Sequence, residues 1–290
     1  MPAAVPNPLA VLHALGVAGV TAAEPALGGF DTAVWRVTAG GRGYALRLFH
    51  PWQEDRCRRE TTIMSAAADR GAPVPRIHAE GRWEGRPALL MDWCPGRPLL
   101  AELIDRPERA HHLGSLFGAM QARIHAVPAP RGLGAEPWID AAGPGGGDLR
   151  RRLGELHPRT DALLHLDYHF LNVLTDGARI TGVIDWANAR PGDPRADLAR
   201  TMTILRLDVP SHLDLVPPRV AAVLPLFDLG WRSGYARAAG PGAVVDMPAF
   251  YAWAGAAMAR DLAGRRSEAF FARVRAWTVR WSARAGCAAP

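Results

Sequence analysis

The stretch His165-Leu166-Asp167-Tyr168-His169-Phe170-Leu171-Asn172-Val173-Leu174 sets a carboxylate and an amide five residues apart, just before an apolar strand-like run. Downstream, Asp176-Gly177 separates Val173-Leu174 from Ile180 to Ile184, and an Asp-Gly pair between apolar runs is a strong hairpin cue. Asp185 follows the second run. An antiparallel hairpin returns the chain to the end from which it started, so Asn172 and Asp185 are expected to converge approximately. An amide oxygen and a carboxylate are hard ligands of the kind magnesium takes, with triphosphate oxygens and water completing its octahedron. The chemistry this suits is metal-assisted phosphoryl transfer. Taken alone, Asp167 also fits a turn cap.

Several elements must hold these groups. Ala33 to Val37 and Tyr44 to Phe49 are short strand-like runs joined by Ala39-Gly40-Gly41-Arg42-Gly43, a hairpin composition. Glu54 to Arg70 carries Cys57, Glu60, Met64 and Ala67 at helical spacing and stops at Gly71, with Pro73 and Pro75 beyond. Ile77 to Ala79 and Ala88 to Met91 complete a small sheet. Trp93-Cys94-Pro95-Gly96-Arg97-Pro98 then breaks the pattern, and a lobe boundary is expected there: an N-terminal lobe over 1–92, a hinge over 93–98 and a helical lobe over 99–290. Leu113, Leu116, Met120 and Ile124 give the next helix one apolar face before Pro128. Arg131 to Gly147, rich in Gly and Pro, reads as a surface loop.

With the elements in order, His165, Asp167 and Asn172 as HxDxxxxN, followed by Ile184-Asp185-Trp186, resemble the signature of the aminoglycoside phosphotransferase family, relatives of choline kinases and protein kinases. Gly192-Asp193-Pro194 and Asp197-Leu198-Ala199 resemble that family's next stretch. Upstream, Leu27-Gly28-Gly29-Phe30, Glu60 and Leu90-Met91-Asp92-Trp93 fall in its order, so the resemblance runs over residues 20 to 200.

The resemblance implies an α+β, bilobal, protein-kinase-like fold, with a small antiparallel-sheet N-lobe carrying one main helix and a larger, mostly helical C-lobe. It implies a magnesium-assisted phosphotransferase that moves a phosphoryl group from ATP or GTP to a small-molecule hydroxyl. Under it, Asp167 is the catalytic carboxylate, and Asn172 and Asp185 hold Mg2+. Arg47 lies against the α- and β-phosphates, paired with Glu60, and Gly28, Gly29 and Phe30 cover the phosphates. Met91 and Trp93 lie at the nucleotide base. Asp197 anchors the catalytic loop. His165, read apart from the resemblance, is expected to brace the loop by hydrogen bonding, as semi-buried histidines usually do.

This sequence departs from the family pattern twice. Arg47 stands where such kinases usually place lysine, in a chain whose 34 basic residues are all arginine; guanidinium keeps the charge and grips phosphate bidentately, with a larger planar head. A full GxGxxG loop is absent, and Gly28-Gly29 supplies only a short turn. Other residues fit plainer roles. His111, His112 and His125 share one candidate helix without metal-ligand partners. Trp231, Trp253, Trp277 and Trp281 suit a core better than a pocket wall. Cys57, Cys94 and Cys287 form no CxxC pair, which argues against a disulfide framework or a zinc site.

Composition narrows the partners. Apolar residues make up 49% and charged residues 21% of 290, a folded globular balance. The +6 charge comes from scattered arginines without interleaved aromatics, so no nucleic-acid partner is expected. Pro8 to Val20 is apolar but lacks a basic leader and is too short to span a bilayer, so a cytoplasmic protein without a membrane partner is expected. From Thr201 to Pro290 eleven arginines face six acids, the wrong sign for a polycationic aminoglycoside. A neutral, weakly cationic or anionic hydroxyl compound fits better: a macrolide-like antibiotic, a sugar, an amino alcohol or a metabolite. The alternative from another class is a catalytically silent nucleotide-binding or scaffolding protein on the same fold, which would be free to lose Asp167, Asn172 or Asp185.

Overall fold

The computed structural model describes residues 6–26, 32–133, 136–143, 146–208, 217–240, 242 and 244–290. The chain is α+β and divides into two compact units, Met1–Pro95 with Thr181–Ala187, and Gly96–Ile180 with Asn188–Pro290. Among the described residues no helix is long and apolar enough to cross a membrane.

The first unit opens with α1 (Pro8–Ala14), capped by Asn7, whose Oδ1 accepts the Leu9 N–H at 3.0 Å. Five antiparallel strands follow, β1 (Val20–Pro25), β2 (Ala33–Ala39), β3 (Arg42–Leu48), β4 (Ile77–Trp83) and β5 (Arg86–Asp92), in the order β1-β2-β3-β5-β4. The β2–β3 and β4–β5 turns are two residues each. Gly40 and Gly41 have φ of 55° and 73°, Glu84 and Gly85 of 48° and 73°, the doubly positive pattern that matches strand twist.

Alternation along the strands divides the side chains between two faces. Leu46, Leu48, Ala88 and Leu90 join Val11, Leu12, Trp35 and Val37 in one core. On the other face Leu89 and Met91 pack with Phe49 and with Cys57 of α2 (Glu54–Asp69). Arg47, between Leu46 and Leu48 and paired with Leu89, therefore points to the α2 side. The helix buries Cys57, Glu60, Met64 and Ala67 as their spacing predicts and stops at Gly71, with φ 74°.

The second unit is mostly helical. Its strands are short: β6 (Arg97–Pro98) pairs with β8 (Val173–Thr175), and β7 (Ala162–Leu164) with β10 (Arg190–Gly192). The Asp-Gly turn forms after β8, with Asp176 Oδ1 accepting the Ala178 and Arg179 N–H groups at 2.9 Å; β9 (Ile180–Val183) follows, its residues from Thr181 on counted with the first unit. The helices are α3 (Leu99–Asp105), α4 (Ala110–His125), α5 (Gly147–Glu155), α6 (Pro194–Thr203), α7 (Pro218–Ala239), α8 (Met247–Asp261) and α9 (Glu268–Ala285). Helices α4 and α7 meet backbone to backbone. A Cβ added at Gly118 would lie 2.0 Å from the Trp231 carbonyl oxygen, and one at Gly234 would lie 2.2 Å from that of Ser115.

Arg131 to Gly147 is not a surface loop throughout. Trp138–Ala142 forms a 3-10 turn, and Trp138 is buried, stacked on Phe250 and edge-on to Trp253, whose Nε1 donates to the Trp138 carbonyl at 3.1 Å. Burying one indole body outweighs the loop-like composition around it. Trp231 and Trp253 are core residues, each with its indole N–H bonded.

Candidate active site

Asp167 and Asn172 sit on the loop between β7 and β8. Leu166 just before them adopts a left-handed backbone, φ 60°, a strained choice for a branched apolar residue. The loop is held from beneath. Fully buried Asp197, in the first turn of α6, accepts the Leu166 N–H on Oδ1 at 2.5 Å and the His125 ring on Oδ2 at 2.8 Å. A carboxylate only accepts, so His125 Nε2 carries the proton; its Nδ1 meets the Tyr235 hydroxyl at 2.9 Å. Gln121 donates to the same Oδ2 at 3.3 Å. Burial alone pushes the Asp197 carboxyl up, but the His125 hydrogen bond, the neighbouring His125 and His165 charges and the Leu166 N–H bring it below the usual carboxylate range. Thr201 Oγ1 donates to the Tyr168 carbonyl at 3.0 Å, and Tyr168 donates to that of Phe117 at 2.9 Å.

On this base the polar groups line up. Asn172 donates through Nδ2 to the Asp167 backbone carbonyl at 3.0 Å and to Oδ2 at 3.2 Å. Two acceptors fix which end of the amide is nitrogen, so the amide oxygen is the atom Asn172 can offer to a cation. His165 Nδ1 accepts the Asp167 N–H at 3.3 Å, a bracing bond. His169 accepts the Leu171 N–H on Nδ1 at 3.2 Å and sets Nε2 3.5 Å from Asp167 Oδ1. Asp167 itself is half-buried.

In the first unit Arg47 and Glu60 form a buried ion pair at 2.5 Å, with Arg56 adding a second contact to Glu60 at 3.1 Å. Arg47 Nε also donates to Thr32 at 2.9 Å. Burial raises the Glu60 carboxyl above its ordinary value, against the pull of Arg47 and with a further push from Asp185. Asp185 is exposed, with a left-handed φ of 61°. Met91 lies in the core beside Phe49 and Leu89. Trp93 stays partly exposed under the Arg36 guanidinium, 5.0 Å from the ring centroid. Gly28, Gly29 and Phe30 lie outside the described residues.

Residues 22–240 match the sequence model of the phosphotransferase enzyme family. The chain belongs to that family. A homoserine kinase of Pseudomonas aeruginosa is 32% identical over 197 residues, and the match takes in 57% of this chain and 58% of that protein's length. The fold is that of protein-kinase-like phosphotransferases. A thermostable mutant of aminoglycoside phosphotransferase APH(4)-Ia, in ternary complex with AMP-PNP and hygromycin B, matches with a TM-score of 0.61 at 20% identity, over 95% of this chain and 97% of that one. Macrolide 2'-phosphotransferase MphH from Brachybacterium faecium matches with 0.56 at 20% identity, over 94% and 96%.

His125 belongs to the support of the loop, a role its sequence neighbourhood does not announce. His111 and His112 on the same helix are exposed, whereas His125 is buried. Its partner Asp197 lies 72 residues away, so the signal is the family stretch around Asp197, not spacing on α4. Among the described residues no three His, Cys, Asp or Glu side chains cluster to hold a metal. Magnesium is characteristically held by one or two protein oxygens together with substrate phosphates, a smaller protein donor set than such a cluster.

Proposed function

We propose that the protein is a small-molecule kinase that transfers the γ-phosphoryl group of ATP or GTP to a substrate hydroxyl. The observation that carries this reading is the Asp167 carboxylate, half-buried on a strained loop, hydrogen-bonded by Asn172 and underpinned by the buried Asp197–His125 pair. Such support keeps a reacting carboxylate in place within a few tenths of an ångström. The hydroxyl oxygen attacks the γ-phosphorus, its proton passes to Asp167, and the bond to the departing diphosphate breaks.

Asn172 and Asp185 would supply oxygen ligands to magnesium, which when bound would neutralise charge on the phosphates. Arg47, oriented by Glu60 and Thr32, binds the nucleotide phosphates; Gly28, Gly29 and Phe30 cover them, and Met91 and Trp93 flank the base. Family membership and the nucleotide in the APH(4)-Ia complex support the donor class. The C-terminal excess of arginine argues against a polycationic acceptor.

Asp167→Ala tests the assignment. Transfer is expected to fall by several powers of ten while nucleotide affinity, read by calorimetry, stays within about twofold. Turnover at the wild-type rate in that variant would remove Asp167 from the reaction.

A further inference from the structure

Helix α6 brings a second charged side chain to the underside of the loop. Arg200 lies three residues beyond Asp197, on the same helix face, and is 8% exposed. Its Nε donates to the Leu166 carbonyl at 3.4 Å, one peptide from Asp167, and its Nη2 donates to Asp261 Oδ2 at 2.8 Å. Nη1 is buried without a hydrogen-bond partner. Guanidinium keeps its charge at any working pH and presents its donors in a planar fork that matches a carboxylate. A buried donor without an acceptor is rare in folded chains, and such exceptions tend to mark functional groups.

The surroundings indicate what would come to that fork. The Asp261 side chain is 40% exposed against 10% for Arg200, so that carboxylate is the guanidinium's neighbour on the solvent side. Among the described residues three other acids of this region are already engaged: Asp208 with Arg266 at 3.0 Å, Asp228 with Arg206 and Arg232 at 3.2 Å, and Glu268 with Arg275 at 2.5 Å. They leave little negative charge for a polyamine. Immediately beyond α6 the backbone widens into a π-helical turn, Ile204–Asp208, a departure that recurs at functional sites.

We propose that Arg200 determines acceptor specificity by taking the carboxylate of a small hydroxy acid. Nη1 and Nη2 grip the two carboxylate oxygens, and Asp261 turns from the guanidinium to the ammonium group of any acceptor that has one. The hydroxyl of the same molecule is the one presented to Asp167. The assignment rests on the kinase reading and narrows its substrate class.

The test is a calorimetric titration in the presence of magnesium and AMP-PNP, using homoserine, 4-hydroxybutyrate and glycerate, each against its primary amide. At least one acid is expected to bind roughly tenfold or more tightly than its amide. Arg200→Met is expected to abolish that ratio, with amide and AMP-PNP affinities unchanged, and Arg200→Lys to restore part of it. A merely structural Arg200 would weaken acid and amide alike. Acids and amides binding equally to the wild type, or a ratio that survives Arg200→Met, would overturn the proposal. Should Arg200→Met fail to fold, Asp261→Asn keeps the guanidinium and removes its resident carboxylate. The acids without an ammonium group, 4-hydroxybutyrate and glycerate, should then bind at least about threefold more tightly, and unchanged affinity would count against the proposal. Acid-selective binding without any diphosphate release would keep this assignment and sink the kinase reading. Phosphorylation confined to alcohols without a carboxylate would do the reverse.

Discussion

Asp197 spends one oxygen on the Leu166 N–H and the other on His125 and Gln121, all away from water. Its lowered carboxyl means that the stability it contributes is present above the ordinary carboxylate range and is lost as pH falls through the lower, folded-state value. Asp197→Asn keeps one acceptor and removes the charge. At pH 7 it should cost about 2–3 kcal/mol in urea unfolding and lower turnover more than nucleotide affinity, because one amide oxygen cannot serve both the Leu166 N–H and the His125 and Gln121 donors. Glu60 behaves in the opposite way. Its carboxyl is raised, so the stability linked to it is full below its ordinary value and is lost as pH rises through the folded-state value. Arg47→Met removes the main charge that counters this, and should destabilise by about 3–5 kcal/mol at pH 8 and by clearly less near pH 4. Melting temperatures of wild type and variant across that range measure the difference, and a gap independent of pH would contradict the account.

At the scale of elements, what could be read was what local chemistry dictates. Helix α2 carries its buried residues at strict spacing and ends at a glycine that must be left-handed, so its limits were legible almost to the residue. The Asp176 turn was legible for the same reason. The Glu84–Gly85 turn, the buried Trp138 and the His125–Asp197 pair were not, because each depends on partners distant in sequence or on a glutamate adopting positive φ. The α4–α7 contact is another long-range feature, since glycine spacing on two helices gains meaning only when they meet. Gly118→Ala, with a Cβ 2.0 Å from a backbone oxygen, should destabilise by about 1–3 kcal/mol. Gly154→Ala in α5, with nothing within 4 Å, should stabilise by about 0.5–1 kcal/mol. Denaturant midpoints of the two variants should move in opposite directions, and a shift of the same sign would refute the close-packed reading.

Over the whole molecule, the family and its protein-kinase-like fold were legible from the order of short motifs, because phosphoryl transfer constrains those few positions. The acceptor was not, since the sequence of the C-terminal helices answers mainly to packing. The all-arginine usage and the +6 charge bear on that question only in combination with the observed ion pairs. The most direct test of the central claim is magnesium-dependent release of nucleoside diphosphate by the purified protein, with ATP or GTP, across antibiotics, sugars, amino alcohols and hydroxy acids. The account predicts that at least one acceptor stimulates release and gains a phosphate, and that Asp167→Ala abolishes the stimulation. Nucleotide that binds but is never transferred to any acceptor, or stimulation that persists in Asp167→Ala, would contradict it.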